Sequence, residues 1–195
     1  MFSGIVERKA KIIKIEQGRF TVENIFREKL SLGQSISHDG ACMTIESLGK
    51  NIYTFFVMKE SLKKTNFWTK KHSDTFNVER SLKLSDRIDW HFVSGHIDST
   101  WRVKAVRLLD DSSKIIDITF PKKFQNYCIE KWSVTINGVS LTIVSIKEQA
   151  LRVSIIPLTQ NITNLGNLKK GDIVNLEFDM LGKYIYKLMK NYVWL

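Results

Sequence analysis

Two short stretches of this chain place the same chemistry after the same kind of turn. In Asp39-Gly40-Ala41-Cys42-Met43-Thr44 a thiol and a hydroxyl stand two residues apart. In Asn137-Gly138-Val139-Ser140-Leu141-Thr142 two hydroxyls do. Asp-Gly and Asn-Gly flanked by strand formers favour a two-residue hairpin turn whose central residues both take positive φ. Side chains alternate along the strand that follows. Cys42 therefore shares a face with Thr44 and Ser140 with Thr142, while Met43 and Leu141 point toward a core. Hydroxyls donate and accept, and a thiol can serve as nucleophile or acid/base group. Taken singly, each stretch also reads as an amphipathic strand with a solvated polar row, and a buried free cysteine often only packs. Repetition of the whole pattern is what favours a site.

The repetition extends beyond the signature. At an offset of 98 residues, Ser35 to Ile45 matches Ser133 to Ile143, Val57-Met58 matches Ile155-Ile156, and Thr65-Asn66-Phe67 matches Thr163-Asn164-Leu165. Asp74 to Glu79 matches Asp172 to Glu177 in the same register. Ser3-Gly4-Ile5-Val6-Glu7 matches Ser94-Gly95-His96-Ile97-Asp98 at an offset of 91, so an insertion of seven residues is expected early in the second copy. An internal duplication of this kind divides 195 residues into two domains, each large enough for a modest core. The expected units are residues 1–89, 90–180 and a tail, 181–195.

Composition is that of an ordinary globular protein, with 43% hydrophobic and 26% charged residues. Two prolines and the lack of a Gly/Ser-rich linker imply closely packed domains. The two cysteines, Cys42 and Cys128, fall at non-equivalent repeat positions, as free thiols of a reducing cytoplasm would. The opening residues lack the features of a secretory signal, and no apolar run is long enough to span a membrane. The net charge of +10 is spread over scattered lysines. Basic residues that do not alternate with aromatics describe a solvated surface better than a nucleic-acid groove.

Strand patterns dominate: Lys11 to Ile15, Arg19 to Val22, Ile52 to Val57, Ile115 to Phe120 and Leu151 to Ile156. Gln17-Gly18, Asp39-Gly40, Leu48-Gly49, Asn137-Gly138 and Lys170-Gly171 are the expected turns. Many short strands per copy predict an all-β fold, one barrel or sandwich per repeat. Leu181, Tyr184, Ile185, Leu188, Met189, Tyr192 and Val193 recur at helical spacing, so a C-terminal helix with an apolar stripe is predicted, packed on its own barrels or on other subunits.

Read together, these blocks resemble the riboflavin synthase alpha-chain family. Met1-Phe2-Ser3-Gly4-Ile5-Val6-Glu7 resembles its "MFTGIVE" opening, and Val134 to Ile143 its second-barrel signature. Phe76-Asn77-Val78-Glu79-Arg80 and Val93-Ser94-Gly95-His96-Ile97-Asp98 are similar to "VNLER" and "VSGHVD". Val174 to Asp179 and Gly182-Lys183-Tyr184-Ile185 are similar to its closing block. The resemblance implies two six-stranded Greek-key barrels and a C-terminal helix that holds a homotrimer. It implies dismutation of two 6,7-dimethyl-8-ribityllumazine molecules: a four-carbon unit passes between them, giving riboflavin and 5-amino-6-ribitylamino-uracil. No cofactor, metal, nucleic acid or membrane is implied, and association with lumazine synthase is a further partner it admits.

Carried over by position, Gly4, Ile5, Val6, Ser35, Cys42, Met43 and Thr44 with Phe56, Val57, Met58, Lys59, Glu60 and Ser61 would line a first-barrel substrate site. Gly95, His96, Ile97, Lys131, Ser140, Leu141 and Thr142 with Ser154, Ile155, Ile156, Pro157, Leu158 and Thr159 would line a second. Cys42, Ser140, Asn137, His96, His91 and Thr142 are the candidate catalytic groups. Two identical substrates need two related sites, and a donor and an acceptor need different ones. The informative positions are those where the copies diverge: Cys42 against Ser140, Asp39 against Asn137, and Ile5 against His96. His91 and His96 are candidate proton carriers that a straight strand would turn to opposite faces; they do not form a metal pair. Lys131 reads equally as a ligand contact or a surface residue, and His38 and His72 read as surface residues.

Three departures from the family pattern stand out. Asn137, which cannot act as a carboxylate base, occupies a place often held by Asp. Asp89-Trp90-His91 replaces Gly-Gly-His, and Leu158 stands where a polar residue is common. A non-catalytic lumazine or flavin binder and a basic nucleic-acid-binding barrel are the alternatives.

Overall fold

The computed structural model describes residues 1–88 and 91–192. Asp89, Trp90, Val193 and the side chain of Tyr192 lie outside the described residues. The first barrel comprises β1 (Arg8–Glu16), β2 (Arg19–Glu23), β3 (Ser35–His38), β4 (Ala41–Gly49), β5 (Ile52–Phe56) and β6 (Thr75–Arg80). The second comprises β7 (Ser99–Leu108), β8 (Lys114–Thr119), β9 (Ser133–Ile136), β10 (Val139–Lys147), β11 (Ala150–Ile155) and β12 (Ile173–Phe178). Both barrels close, in the orders β1-β2-β5-β4-β3-β6 and β10-β11-β8-β7-β12-β9, which are one cyclic order read in opposite directions. Closure leaves no unpaired strand edge. Short helices α1 (Lys59–Lys64) and α2 (Pro157–Ile162) follow β5 and β11, and α3 (Met180–Tyr192) ends the described chain.

The duplication is visible in fine detail. β1 and β4 shift register between Ile12 and Lys14 and between Ile45 and Ser47. β7 and β10 do so at the equivalent Val103/Ala105 and Ile143/Ser145. Such bulges bend a strand, as barrel closure requires. The insertion is divided between two connections. The offset is 91 at Val103 against Ile12, 96 at Ile118 against Val22 and 98 at Ile136 against His38. The β7–β8 hairpin therefore holds five extra residues, and the β8–β9 connection, with its 3₁₀ turn at Lys122–Tyr127, holds two.

The signature turns adopt the expected conformation, with Asp39 and Gly40 at φ 43° and 86° and Asn137 and Gly138 at 45° and 79°. Leu48-Gly49 is a correction. Both residues finish β4, Gly49 pairs with Ile52, and the turn is Lys50-Asn51, where Asn51 takes the left-handed conformation (φ 59°).

The barrels meet around a local two-fold axis. Phe2 and Val93, equivalent residues of the two leading segments, exchange backbone hydrogen bonds of 2.8 and 3.0 Å. The turn glycines abut: a Cβ on Gly138 would lie 2.7 Å from the Gly40 nitrogen, and one on Gly40 would lie 2.9 Å from the Gly138 nitrogen. Asparagines lock the pair around this contact. The Asn66 and Asn164 amides donate to Asn175 Oδ1 and Asn77 Oδ1, both at 2.6 Å. Asn175 Nδ2 and Asn77 Nδ2 donate in turn to the carbonyls of Asp39 (2.8 Å) and Asn137 (2.9 Å). Symmetry breaks where Asp39 pairs with Lys70 at 2.6 Å, because the residue 98 positions after Lys70 is Leu168.

The cores differ too. The second barrel is filled mainly by Ile, Val and Leu, with Trp101, Phe120 and Phe178 packed ring on ring beside them. The first holds an aromatic cluster of Phe20, Phe55, Phe67 and Phe76, and His38 sits among them. Its expected surface position is overturned: the ring is 0% exposed, because His38 falls on the same inward parity of β3 as Ile36. Nε2 lies 2.8 Å from Tyr53 Oη and Nδ1 3.1 Å from the Ile36 carbonyl. Burial holds its pKa down at about 3. His72 is exposed, as expected.

The α3 helix forms where the stripe predicted it. Leu181, Tyr184, Ile185, Leu188 and Met189 all remain at least half or nearly half exposed, and Tyr186 is the residue that packs edge-on against Tyr127. Among the described residues no helix is long and apolar enough to cross a membrane.

A base whose folded pKa lies below its unfolded value of 6.5 binds its proton first in the unfolded chain. Stability is then lost as the pH falls from 6.5 toward about 3, by up to about 1.4 kcal/mol per pH unit from this one group. The second barrel carries Ile136 and Leu151 at the equivalent places. Urea denaturation at pH 7 and pH 4 is expected to show a smaller pH effect for the double variant His38→Ile, Tyr53→Leu than for the parent chain.

Candidate functional site

The two signature strands present their polar residues at the junction of the barrels. On β4, Cys42 is half-buried and Thr44 exposed, while Met43 and Ile45 enter the core. On β10, Ser140 is buried, Thr142 exposed, and Leu141 and Ile143 enter the core. The alternation follows the sequence pattern, but the burial of Ser140 has a cause the pattern does not contain.

That cause is an exchange of leading segments. Residues 3–6 precede the first barrel yet lie on the second: the Ser140 amide donates to the Gly4 carbonyl at 2.8 Å, and Val6 packs into the second core. Residues 94–97 do the reverse. The Cys42 amide donates to the Gly95 carbonyl at 2.9 Å, and Ile97 packs against the first core. Gly4 and Gly95 take φ 76° and 81°, and a Cβ on either would lie 2.6 Å from the Cβ of Ser140 or Cys42. Glycine meets both demands, positive φ and close approach. The expected grouping is thereby corrected. Gly95, His96 and Ile97 belong with Cys42 and Met43, whereas Gly4, Ile5 and Val6 belong with Ser140 and Leu141, because each segment crosses the two-fold axis.

The first of these junctions encloses a cavity of about 270 Å³ lined by Ala41, Cys42, Met43, Glu60, Ser61, Lys64, Thr65, Gly95, His96 and Ile97. Its equivalents on the other side are Val139, Ser140, Leu141, Leu158, Thr159, Ile162 and Thr163 with Gly4, Ile5 and Val6. The two sides share a backbone plan and differ in charge. Glu60 and Lys64 form an ion pair at 3.0 Å on α1, where α2 has Leu158 and Ile162; His96 stands where the other side has Ile5.

His91 adds a hydrogen-bonded imidazole to the second side alone. Its Nδ1 lies 2.8 Å from Ser140 Oγ and its Nε2 3.3 Å from Thr135 Oγ1. Burial lowers the imidazole pKa, against the opposing pull of the Asp179 carboxylate. A neutral imidazole hydrogen-bonded to a hydroxyl can take its proton. His91 and His96 thus lie on opposite sides, although residues 91–98 form an irregular segment, with an isolated bridge at Val93, in place of the straight strand expected.

The remaining expected residues divide by environment. Val57 and Ile155 point into the barrel cores, leaving only their backbone to a ligand. Phe56, Met58, Lys59, Ile156, Pro157 and Ser154 are exposed around the strand ends, and Phe56 stacks under Arg19. Ser35 pairs with Thr44 on the neighbouring strand, and neither lines the cavity. Lys131 is exposed in a positive-φ turn (φ 68°) that leads into β9. Asn137, expected as a catalytic group, has its side chain engaged at the inter-barrel lock: Oδ1 accepts from the Asn175 amide of its own barrel at 2.8 Å and from Asn66 Nδ2 of the other barrel at 3.4 Å, and Nδ2 donates to Asn164 Oδ1 at 3.2 Å. Both thiols are free, and burial pushes Cys128 up to about 12.

Sequence reasoning passed over Lys64, Ile162 and the carboxylates Glu79 and Glu177. Each lay inside or beside a repeated block, but nothing in the blocks said which side chains meet.

Comparison with known proteins gives a consistent outcome. Residues 3–81 and 94–179 match the lumazine binding domain family. The chain is 42% identical to the riboflavin synthase of Actinobacillus pleuropneumoniae over 97% of this chain and 90% of that one. It is 34% identical to that of Escherichia coli strain K12, over 92% and 87%. Among solved structures, LumP complexed with riboflavin superposes with a TM-score of 0.84 at 23% identity, covering 91% of this chain and 99% of that one.

Substitution at Gly95 tests the crossing. Gly95→Ala must place a Cβ against Cys42 at positive φ and is expected to cost about 2–4 kcal/mol. Gly171→Ala, also at positive φ but with nothing within 4 Å, should cost about 1 kcal/mol. Equal losses in urea denaturation would contradict the packing described.

Proposed function

The chain belongs to the riboflavin synthase family, and from that premise we propose that its two junctions each bind one 6,7-dimethyl-8-ribityllumazine and act on the pair. A four-carbon unit passes from one molecule to the other, yielding riboflavin and 5-amino-6-ribitylamino-uracil. The observation that carries this reading is the two-fold pair of composite sites, alike in backbone and different in side chains. Such a pair suits two copies of one substrate in unequal roles.

The chemistry asks for a carbanion at the 7-methyl group and for close approach of two rings. Holding both reactants turns an encounter into an intramolecular step. On the Ser140 side, His91 is the proton acceptor and Ser140 the relay; Thr142 and the strand backbone supply hydrogen bonds to the ring edge. On the Cys42 side, Cys42, His96 and Ser61 face the cavity. The Glu60–Lys64 pair gives this side the more polar rim, which supports different roles for the two bound molecules.

We read the face-to-face stack as formed where the Cys42 side of one subunit meets the Ser140 side of another. The unburied stripe of α3 supports a homotrimer built through that helix. We read residues 1–89, 90–180 and 181–195 as the two binding units and the assembly helix, and the free thiols support a cytoplasmic setting.

Incubation with 6,7-dimethyl-8-ribityllumazine should consume two molecules for each riboflavin formed, followed by riboflavin fluorescence. Ser140→Ala should lower kcat by about 10²-fold. Tight binding without turnover by the unaltered chain would instead identify a non-catalytic binder.

Truncation before Leu181 should convert a sedimenting trimer into monomers and abolish turnover. A truncated chain that still sediments as a trimer would refute the part given to α3.

A further inference from the structure

Two buried carboxylates hold the crossing segments. Glu79 Oε1 accepts from the Ser3 amide at 2.7 Å and from Ser3 Oγ at 2.8 Å, while Oε2 accepts from the Gly4 amide at 3.1 Å. Glu177 repeats this with the Ser94 amide (2.7 Å), Ser94 Oγ (2.6 Å) and the Gly95 amide (3.1 Å). Each serine oxygen then accepts from the amide two residues on, Ile5 at 3.3 Å and His96 at 3.2 Å. A relay therefore runs from carboxylate to hydroxyl to the backbone of the residue that faces the opposite barrel. Glu79 and Glu177 are 5% and 3% exposed, so these bonds are largely shielded from water.

We propose that Glu79 and Glu177 are positioning residues for the two sites. Each carboxylate sets the conformation of a Ser-Gly-Xaa segment whose carbonyl and third residue form one wall of the site on the other barrel. Glu79 governs Gly4 and Ile5 over Ser140; Glu177 governs Gly95 and His96 over Cys42. The catalytic consequence rests on the function proposed above, but the conformational one does not. Three donors converge on each acceptor-only group. A carboxamide of the same shape keeps one acceptor and turns an N–H toward another N–H. Burial pushes the Glu79 carboxyl up to about 7, with the Glu7 carboxylate adding to the effect. It raises Glu177 too, against the Ser94 bonds and the Lys183 ammonium. The converging donors oppose that rise at both carboxylates.

The Cys42 thiol reports on its own wall without reference to activity, and Cys128 is a buried internal control. In Glu177→Gln, alkylation of Cys42 by iodoacetamide should be about tenfold faster or more, the equivalent of losing one hydrogen bond to a charged acceptor. Glu79→Gln, which loosens only the opposite wall, should leave that rate unchanged. Both variants should lower kcat at least about tenfold, and Ser94→Ala, which breaks the relay but keeps the carboxylate, should give an intermediate rise in Cys42 reactivity. A general loss of stability would raise both variants' rates alike and would overturn the assignment. So would a folded Glu177→Gln with unchanged Cys42 reactivity or, should that variant not fold, a Ser94→Ala with unchanged reactivity. An unaltered chain that turns over no lumazine would refute the proposed function while the alkylation rates still decide the positioning role.

Discussion

Everything in this molecule depends on two polypeptide turns touching backbone to backbone. Gly40 and Gly138 approach so closely that neither tolerates a side chain. That contact brings the barrels together around an axis that also passes through the Phe2–Val93 pairing. Val6 and Ile97 add apolar packing across the junction, and directed hydrogen bonds set its geometry. Asn66, Asn77 and Asn175 satisfy backbone groups of the opposite barrel, Asn164 donates across the junction to the Asp39 carboxylate, and Asp39 and Asn137 each accept a backbone amide of their own barrel, as buried polar groups must. An interface of directed hydrogen bonds fixes orientation more narrowly than an oily one would, and the site geometry inherits that definition.

From the same axis follows the composite nature of both sites. A segment that leads into one barrel can reach the other only because the turns meet at the centre. Its glycine then lies against Cys42 or Ser140, and its third residue becomes the wall. Neither barrel alone contains a whole site. The symmetry of the backbone is close, down to the placement of the bulges. The asymmetry is concentrated in a few side chains: His96 against Ile5, Glu60 and Lys64 against Leu158 and Ile162, and His91 on one side alone. A duplicated scaffold that keeps its backbone and varies its walls can present one substrate in two electronic settings.

The same division between shared backbone and divergent side chains runs through the cores. His38 and Tyr53 occupy places held by Ile136 and Leu151. The first barrel therefore carries a buried hydrogen-bonded pair that must stay neutral, and the second carries none at those positions. The Asp39–Lys70 ion pair has a neutral counterpart in Asn137 and Leu168.

The sequence by itself determined the duplication, the strands, the terminal helix and the turns, apart from the one placed at Leu48-Gly49 that falls at Lys50-Asn51. Those features are local: periodicity of two, Asp-Gly and Asn-Gly turns, and a helical stripe are each written within a few residues. It also marked Cys42, Ser140, Gly4 and Gly95 by repetition, and the divergent pairs by comparison of the copies. Only the tertiary structure decided which marked residues meet. The crossing of residues 3–6 and 94–97 to the opposite barrel is a contact between segments some 136 and 53 positions apart, Gly4 with Ser140 and Gly95 with Cys42, and no local signal encodes it. The inward turn of His38, the capture of Asn137 by the lock, and the grip of Glu79 and Glu177 on the Ser-Gly segments are decisions of the same kind. A polar residue inside a repeated block looks the same in sequence whether it faces water, a ligand or another barrel, and what lies across from it is set by packing.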